Sequence, residues 1–362
     1  MRWRRRRRFT HWGAVAAVAA VAAALPFLGG WAEADRQQAP RAAAPAAEPA
    51  PAEPKAQPRP GRSSPGPPRR PRPDTGLPKR VAIGAFIPGG TQRPSLIERY
   101  ARHTGRPPAI LLYFRTWRRG RVFDRLTLRR VAAARAVPLV TWEPSNAPLR
   151  DIAKGRYDAY LRSSARDAAR WTGPIMVRFA HEMNGDWYSW GSHANSPRTF
   201  VRAWRRLVRI FRQEGALNVR FVWTPNAESG QLRLIRRLYP GDKWVDWVGL
   251  SGFSWGGPWD WVGPRDIFRP TYRAITRMTK RPFMIAETGA GELGGDKAEW
   301  IRWMFRDDLP RMRRIRAVVW FNGREKWADF DVESSRESLR AFRTAVAAPR
   351  YSGTAADVEL GG

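Results

Sequence analysis

The 362-residue chain contains no cysteine. That excludes disulfides, thiolate metal sites, a thiol nucleophile and a lipidated cysteine behind a leader. Histidine is nearly as scarce, and only His103, His181 and His193 lie beyond residue 80. None has HExxH or comparable ligand spacing, so neither a metal nor another cofactor is expected. No glycine-rich phosphate loop follows the first apolar run; Gly89-Gly90 reads as a turn. Acidic residues are few, 32 against 65 Lys and Arg, for a net charge of +33. Residues 1–80 hold 16 basic and 5 acidic side chains, or +11, leaving +22 for the rest. Such a surface can associate weakly with an anionic wall or membrane. Its arginines are scattered along helix-like stretches such as 202–212 and 306–316, with no nucleic-acid-binding module. A solvated basic surface on a monomer is the simpler reading, with no specific nucleic-acid partner.

Long apolar runs are absent except near the start. Arg2 and Arg4 to Arg8 precede the Ala/Val/Leu stretch Gly13 to Leu28, and Ala32-Glu33-Ala34 offers a small-residue cleavage site. This is the grammar of an export signal over residues 1–34. The protein is expected outside the cytoplasm, extracellular or at the cell surface, and membrane-anchored if the segment is not cleaved. Residues 35–78 are rich in Pro, Ala and Arg and nearly lack large apolar side chains, so little there can offset the entropy of ordering. A disordered linker is expected there, a single domain over 79–351, and a disordered tail over 352–362.

Eight short apolar runs alternate with helix-like segments: Val81 to Phe86, Ile110 to Phe114, Pro138 to Trp142, Ile175 to His181, Val219 to Thr224, Val245 to Leu250, Phe283 to Glu287, and Ala317 to Phe321. Amphipathic stretches such as Tyr157 to Trp171, Pro197 to Glu214 and Lys297 to Phe305 can supply the crossovers that parallel strands require. The pattern predicts an α/β fold, a closed (β/α)8 TIM barrel. Polar and aromatic residues follow the apolar part of several runs and would meet at one mouth. The group includes Trp142-Glu143-Pro144, His181-Glu182, Trp223-Thr224-Pro225-Asn226, Phe253 to Trp255, Glu287-Thr288 and Trp320-Phe321-Asn322. A tryptophan-rich cleft suits pyranose rings, whose C–H faces stack on aromatic surface. Glu182, at the end of run four, and Glu287, at the end of run seven, are candidates for the acid and the facing carboxylate of glycoside hydrolysis. A separation of about 5 Å would make the reaction retaining. Glu143 is a rival, read as a substrate or structural contact because Pro144 follows it and companion polar groups are lacking.

The segments Arg178 to Gly185 with Trp187 and Trp190-Gly191, Tyr239 to Asp242 before Val245 to Gly249, and Ile285 to Gly289 resemble glycoside hydrolase family 26. The likeness covers nearly all of residues 81–345. It implies a retaining endo-β-glycanase, most often acting on β-1,4-mannan, with other members acting on β-1,3-xylan or mixed-linkage β-glucan. It also implies Glu182 as acid/base, Glu287 as nucleophile, and His181 as the neighbour that helps hold the nucleophile and contacts sugar. Trp187 and Trp320 match aromatic subsite residues, and Arg178 matches an arginine beneath the nucleophile. Trp142, Trp190, Asn226, Phe253 and Trp255 complete the expected substrate-binding set. One departure stands out: Leu250-Ser251-Gly252-Phe253 places phenylalanine where the family has a tyrosine whose hydroxyl bonds the nucleophile. That change motivates an alternative, a catalytically weak glycan- or wall-binding module on the same fold. A third reading, a polyanion-binding protein, predicts binding that falls steeply with salt.

Overall fold

The computed structural model describes residues 80–117 and 121–359. The expected export signal over 1–34 and linker over 35–78 lie outside the described residues. Eight parallel strands close in sequence order: β1 (Ala82–Phe86), β2 (Ile110–Thr116), β3 (Val137–Glu143), β4 (Ile175–Phe179), β5 (Val219–Trp223), β6 (Trp247–Ser254), β7 (Phe283–Ala290) and β8 (Ile315–Phe321). The ring shuts where β1 pairs with β8, Ala82 opposite Ala317 through Phe86 opposite Phe321. The (β/α)8 barrel read from the sequence is therefore the observed fold.

Strand alternation sorts side chains into two layers. Ile110, Leu112, Val137, Leu139, Met176, Val222, Trp247, Met284, Ala286, Ala317 and Val319 fill the interior. The intervening residues pack outward against the helices. Gly249 permits close approach inside the barrel, since a Cβ there would lie 2.5 Å from Thr224 Oγ1 and 2.9 Å from the Ala286 Cβ.

The helix Pro197–Gln213 shows how the basic residues are accommodated. Its Phe200, Ala203, Trp204, Leu207, Val208 and Phe211 are buried at helical spacing. Ser196 caps its start by accepting from the Thr199 N–H at 3.2 Å. Arginines on its other faces tie neighbouring segments down: Arg206 forks onto Asp158 with two bonds of 2.7 Å, and Arg205 donates to the Pro240 carbonyl. By contrast, the stretch 306–316, expected to be helix-like, is the end of a π turn, a short 3-10 turn and the start of β8. No helix of the described residues is long and apolar enough to cross a membrane.

The expected disordered tail needs correction over 352–359. Gly353 bridges to Ala82, Arg106 donates to the carbonyls of Val346 and Tyr351, and the short helix Ala355–Glu359 buries Val358 with the barrel interior residues. A low-complexity composition concealed one apolar anchor that joins the interior cluster.

Candidate active site

Arg178 is the buried hub of the barrel's C-terminal mouth. β4 points Met176 and Arg178 inward by alternation, and the guanidinium, wholly inaccessible, reaches three strands. Its Nε donates to Thr141 Oγ1 on β3 at 2.9 Å, its Nη1 to Ser251 Oγ on β6 at 3.2 Å, and its Nη2 to Glu287 Oε2 on β7. A buried guanidinium is tolerable only with its donors satisfied and its charge matched, and Glu287 supplies the charge.

Glu287 faces inward because β7 carries an irregularity. Ile285 is paired with Leu250 of β6, but the next pair is Glu287 with Ser251, so Ala286 is the extra residue of a bulge. Strict alternation would turn Glu287 outward, since Met284 and Ala286 lie inside. The bulge places Ala286 and Glu287 on the same face, as bulges near functional sites do.

The chain after β4 is held in an uncommon shape. Ala180 and Glu182 both have positive φ, 45° and 51°, a region that costs non-glycine residues about 1–3 kcal/mol. Surrounding bonds fix it: the Glu182 N–H donates to the Thr224 carbonyl at 2.7 Å, the Ala180 N–H to the Trp142 carbonyl at 3.1 Å, and Trp190 Nε1 to the His181 carbonyl at 2.7 Å. Glu182 Oε2 accepts from Trp187 Nε1 at 2.9 Å, and Oε1 from Asn226 Nδ2 at 3.4 Å. The Trp187 ring lies against Gly185, where a Cβ would come within 2.5 Å of it. Burial first, and then the negative charge of Glu287, push the Glu182 carboxyl up to about 7. One carboxyl that holds its proton thus faces one that is ion-paired, the division of labour glycoside cleavage needs.

Comparison with known proteins accords with this geometry. Residues 159–285 match the family profile described as glycosyl hydrolase family 26. Endoglucanase H of Acetivibrio thermocellus is 33% identical over 278 residues, covering 74% of this chain and 30% of that protein. These matches support assigning the chain to glycosyl hydrolase family 26. Mannan endo-1,4-beta-mannosidase A and B of Caldalkalibacillus mannanilyticus is 24% identical over 161 residues, covering 42% of this chain and 28% of that protein. The chain therefore spans about 30% of the length of each of these two relatives. Among solved structures, a modular endo-beta-1,4-mannanase from Cellulomonas fimi has the same fold, with a TM-score of 0.61 and 20% identity over 78% of this chain and 74% of that one.

The barrel gathers Arg178, His181, Glu182, Trp187, Asn226 and Glu287 at one mouth and moves other expected residues away from it. Trp142 and Trp320 are fully buried on the outer side of their strands. Trp142 packs among Trp117, Phe123, Tyr160 and Phe211, and Trp320 against Trp300 and Phe342. Neither is a substrate contact. The apolar runs located the strand ends but not their two-residue phase, so Phe321, not Trp320, lies on the inner side. Trp190 is also buried, stacked on Tyr188 at 4.3 Å, and acts by holding the His181 peptide. His181 itself bonds Tyr188 Oη through Nε2 at 3.2 Å, and no bond joins it to Glu287 among the described residues. Burial and then Arg178 hold its ring well below the usual histidine range, so it is neutral.

The wall from β8 to β6 is aromatic. Phe86 stacks on Phe321 at 4.5 Å, Phe321 meets Phe253 at 5.8 Å, and Phe253 meets Trp255 at 5.7 Å. Trp255 continues to Trp259 at 5.6 Å and then to Trp327 at 6.0 Å, whose side chain is exposed. Trp259 and Trp327 were not foreseen. Both lie in loops beyond the apolar runs, and only their aromatic type in a tryptophan-rich chain could have flagged them. Asn184 was visible only as part of the motif; it accepts from the Asn226 N–H at 2.8 Å and donates to Gln231, fixing the residue that contacts Glu182.

Proposed function

We propose that the barrel is a retaining endo-β-glycanase that cleaves β-1,4-mannan or a related β-glycan by double displacement. Glu182 protonates the leaving oxygen while Glu287 attacks the anomeric carbon, forming a glycosyl-enzyme ester. The leaving sugar departs carrying that proton. Glu182, now a carboxylate, takes a proton from water, which attacks the anomeric carbon and frees Glu287. Trp187 and Asn226 hold the Glu182 carboxyl toward the mouth. Arg178 balances the Glu287 charge before attack and stays with it as the carboxylate is consumed and regenerated.

The observation that carries this reading is the contrast between the two carboxyls. Glu182 is buried and raised to about 7, while Glu287 is ion-paired to a guanidinium that three strands clamp. The sugars on either side of the scissile bond would lie along the aromatic wall from Phe321 through Phe253 to Trp255. One relative is named an endoglucanase and another a mannan endo-1,4-beta-mannosidase, so mannan and β-glucans are the first substrates to test.

Phe253 supports a second reading, a weakly catalytic glycan-binding module. Among the described residues Arg178 is the one side chain that hydrogen-bonds Glu287, and the aromatic at 253 adds no hydroxyl. Purified protein incubated with mannan, mixed-linkage glucan and xylan, with Glu287→Gln beside it, separates the two. Release of reducing ends by the wild type but not the variant supports the glycanase. Tight oligosaccharide binding with no product supports the module.

A further inference from the structure

The mouth contains a third carboxyl that the displacement chemistry does not use. Glu143 ends β3, on the inward face that also presents Leu139 and Thr141. It is 3% exposed, and its Oε1 is buried without a hydrogen-bond partner. Native folds seldom leave a buried oxygen unpaired without a functional reason. Thr141, two residues earlier on the same face, holds Arg178. Arg178, Glu287 and Glu182 are its charged neighbours, and Tyr188 stands within the field of all three carboxyls. A purely structural carboxyl would be bonded to the fold it supports. This one is pressed into the substrate mouth and left unbonded.

We propose that Glu143 is a sugar-binding residue whose carboxyl pairs with a ring hydroxyl of the pyranose seated over Arg178 and so selects among hydroxyl configurations. The inference rests on the glycanase reading and names a specificity determinant for it. Burial, above all, pushes Glu143 up to about 8. Below that pH it is neutral and offers both an O–H donor and an acceptor, a pair that a sugar hydroxyl can satisfy in both directions. Above it the carboxylate can only accept, and it adds negative charge beside Glu182 and Glu287. Of the other groups facing it, burial keeps His181 neutral and pushes the Tyr188 hydroxyl upward, while Glu182 titrates near 7.

The test is oligosaccharide affinity by calorimetry from pH 6 to 9 in the Glu182→Gln background, which removes the one neighbour that titrates near 7. Glu143→Ala and Glu143→Gln are added to that background, and the same substitutions are assayed kinetically in the wild type. Loss of one hydrogen-bonded pair predicts about tenfold weaker binding for Glu143→Ala, equivalent to about 1.4 kcal/mol, expressed in KM more than in kcat. Glu143→Gln should recover most of that loss and remove the decline in affinity above about pH 8. Affinity within twofold of the parent in a folded Glu143→Ala protein, or the same pH dependence with glutamine as with glutamate, overturns the assignment. If the wild type hydrolyses no glycan, the glycanase reading fails. If it hydrolyses glycan and Glu143→Ala keeps its KM, only this inference fails.

Discussion

Trp187 donates its indole N–H to Glu182 Oε2 at 2.9 Å while lying against Gly185, so one ring both orients the carboxyl and partly stabilises its charged form. That bond opposes the burial and the Glu287 charge that raise Glu182 to about 7. Activity requires the protonated acid, so kcat/KM should fall as pH rises through about 7. Trp187→Phe keeps the ring and removes the donor. Its alkaline limb should move to higher pH, and kcat/KM at the optimum should drop about three- to tenfold, the worth of one hydrogen bond. A pH profile of kcat/KM checks both. A limb that stays in place would separate Trp187 from the titrating group.

Arg178 and Glu287 should behave as a unit. Arg178→Met strands a buried carboxylate and should destabilise the fold by about 3–5 kcal/mol. Glu287→Gln removes the charge that Arg178 neutralises and should also destabilise. The double variant should be more stable than the sum of the single losses, a coupling of about 1–3 kcal/mol in urea unfolding. Additive losses would mean that the pair is not coupled.

The two displaced tryptophans test the phase of the strands. Trp142→Ala and Trp320→Ala each open a large void between barrel and helices and should cost about 3–5 kcal/mol in stability. In the protein that remains folded, KM for oligosaccharides should be unchanged. A raised KM at constant melting temperature would return these residues to the cleft.

The distal aromatics should show the opposite pattern. Trp327 is exposed and continues the row through Trp259 and Trp255. Trp255→Ala and Trp327→Ala should weaken binding of long oligosaccharides several-fold, an expected loss of about 1 kcal/mol per stacked ring, with the melting temperature nearly constant. Short oligosaccharides that do not reach Trp327 should bind the second variant as well as the wild type. Equal losses for short and long chains would argue against an extended track.

The stability of the whole should fall as pH rises through the same site. Glu143 and Glu182 are raised in the folded chain, to about 8 and about 7, above the ordinary glutamate value of 4.5. Between these limits the native state binds more protons than the unfolded chain, so this contribution is complete below about 4.5 and is lost as pH climbs toward 8. The double variant Glu143→Gln, Glu182→Gln should have a melting temperature less dependent on pH between 5 and 8. An unaltered dependence would place the titrating groups elsewhere.

The barrel was legible because eight apolar runs separated by amphipathic stretches leave few alternatives, and the family motif supplied Glu182 and Glu287. Which way a side chain points at the strand ends was not. Trp142 and Trp320 adjoin mouth residues in sequence, and only the register shows that period-two alternation sends them into the helix layer. Glu287 misleads in the other sense, since its inward aim depends on the Ala286 bulge, which no local composition announces. Glu143 could be read from its own context only as a substrate or structural contact, because the companion groups that make it part of the cluster, Arg178 above all, arrive from another strand. The tail was misjudged because one buried valine in a small-residue segment carries little weight by composition.

The proposed double displacement requires a covalent bond between Glu287 and the sugar. It is tested most directly by treating the protein with a 2-deoxy-2-fluoro-β-glycoside bearing a good leaving group, then measuring intact mass and mapping the modified peptide. A mass gain of one fluoroglycosyl unit is expected, located on the peptide containing Glu287 and absent from Glu287→Gln. Glycan turnover without any adduct, or an adduct mapped to Glu182 or Glu143, would contradict it.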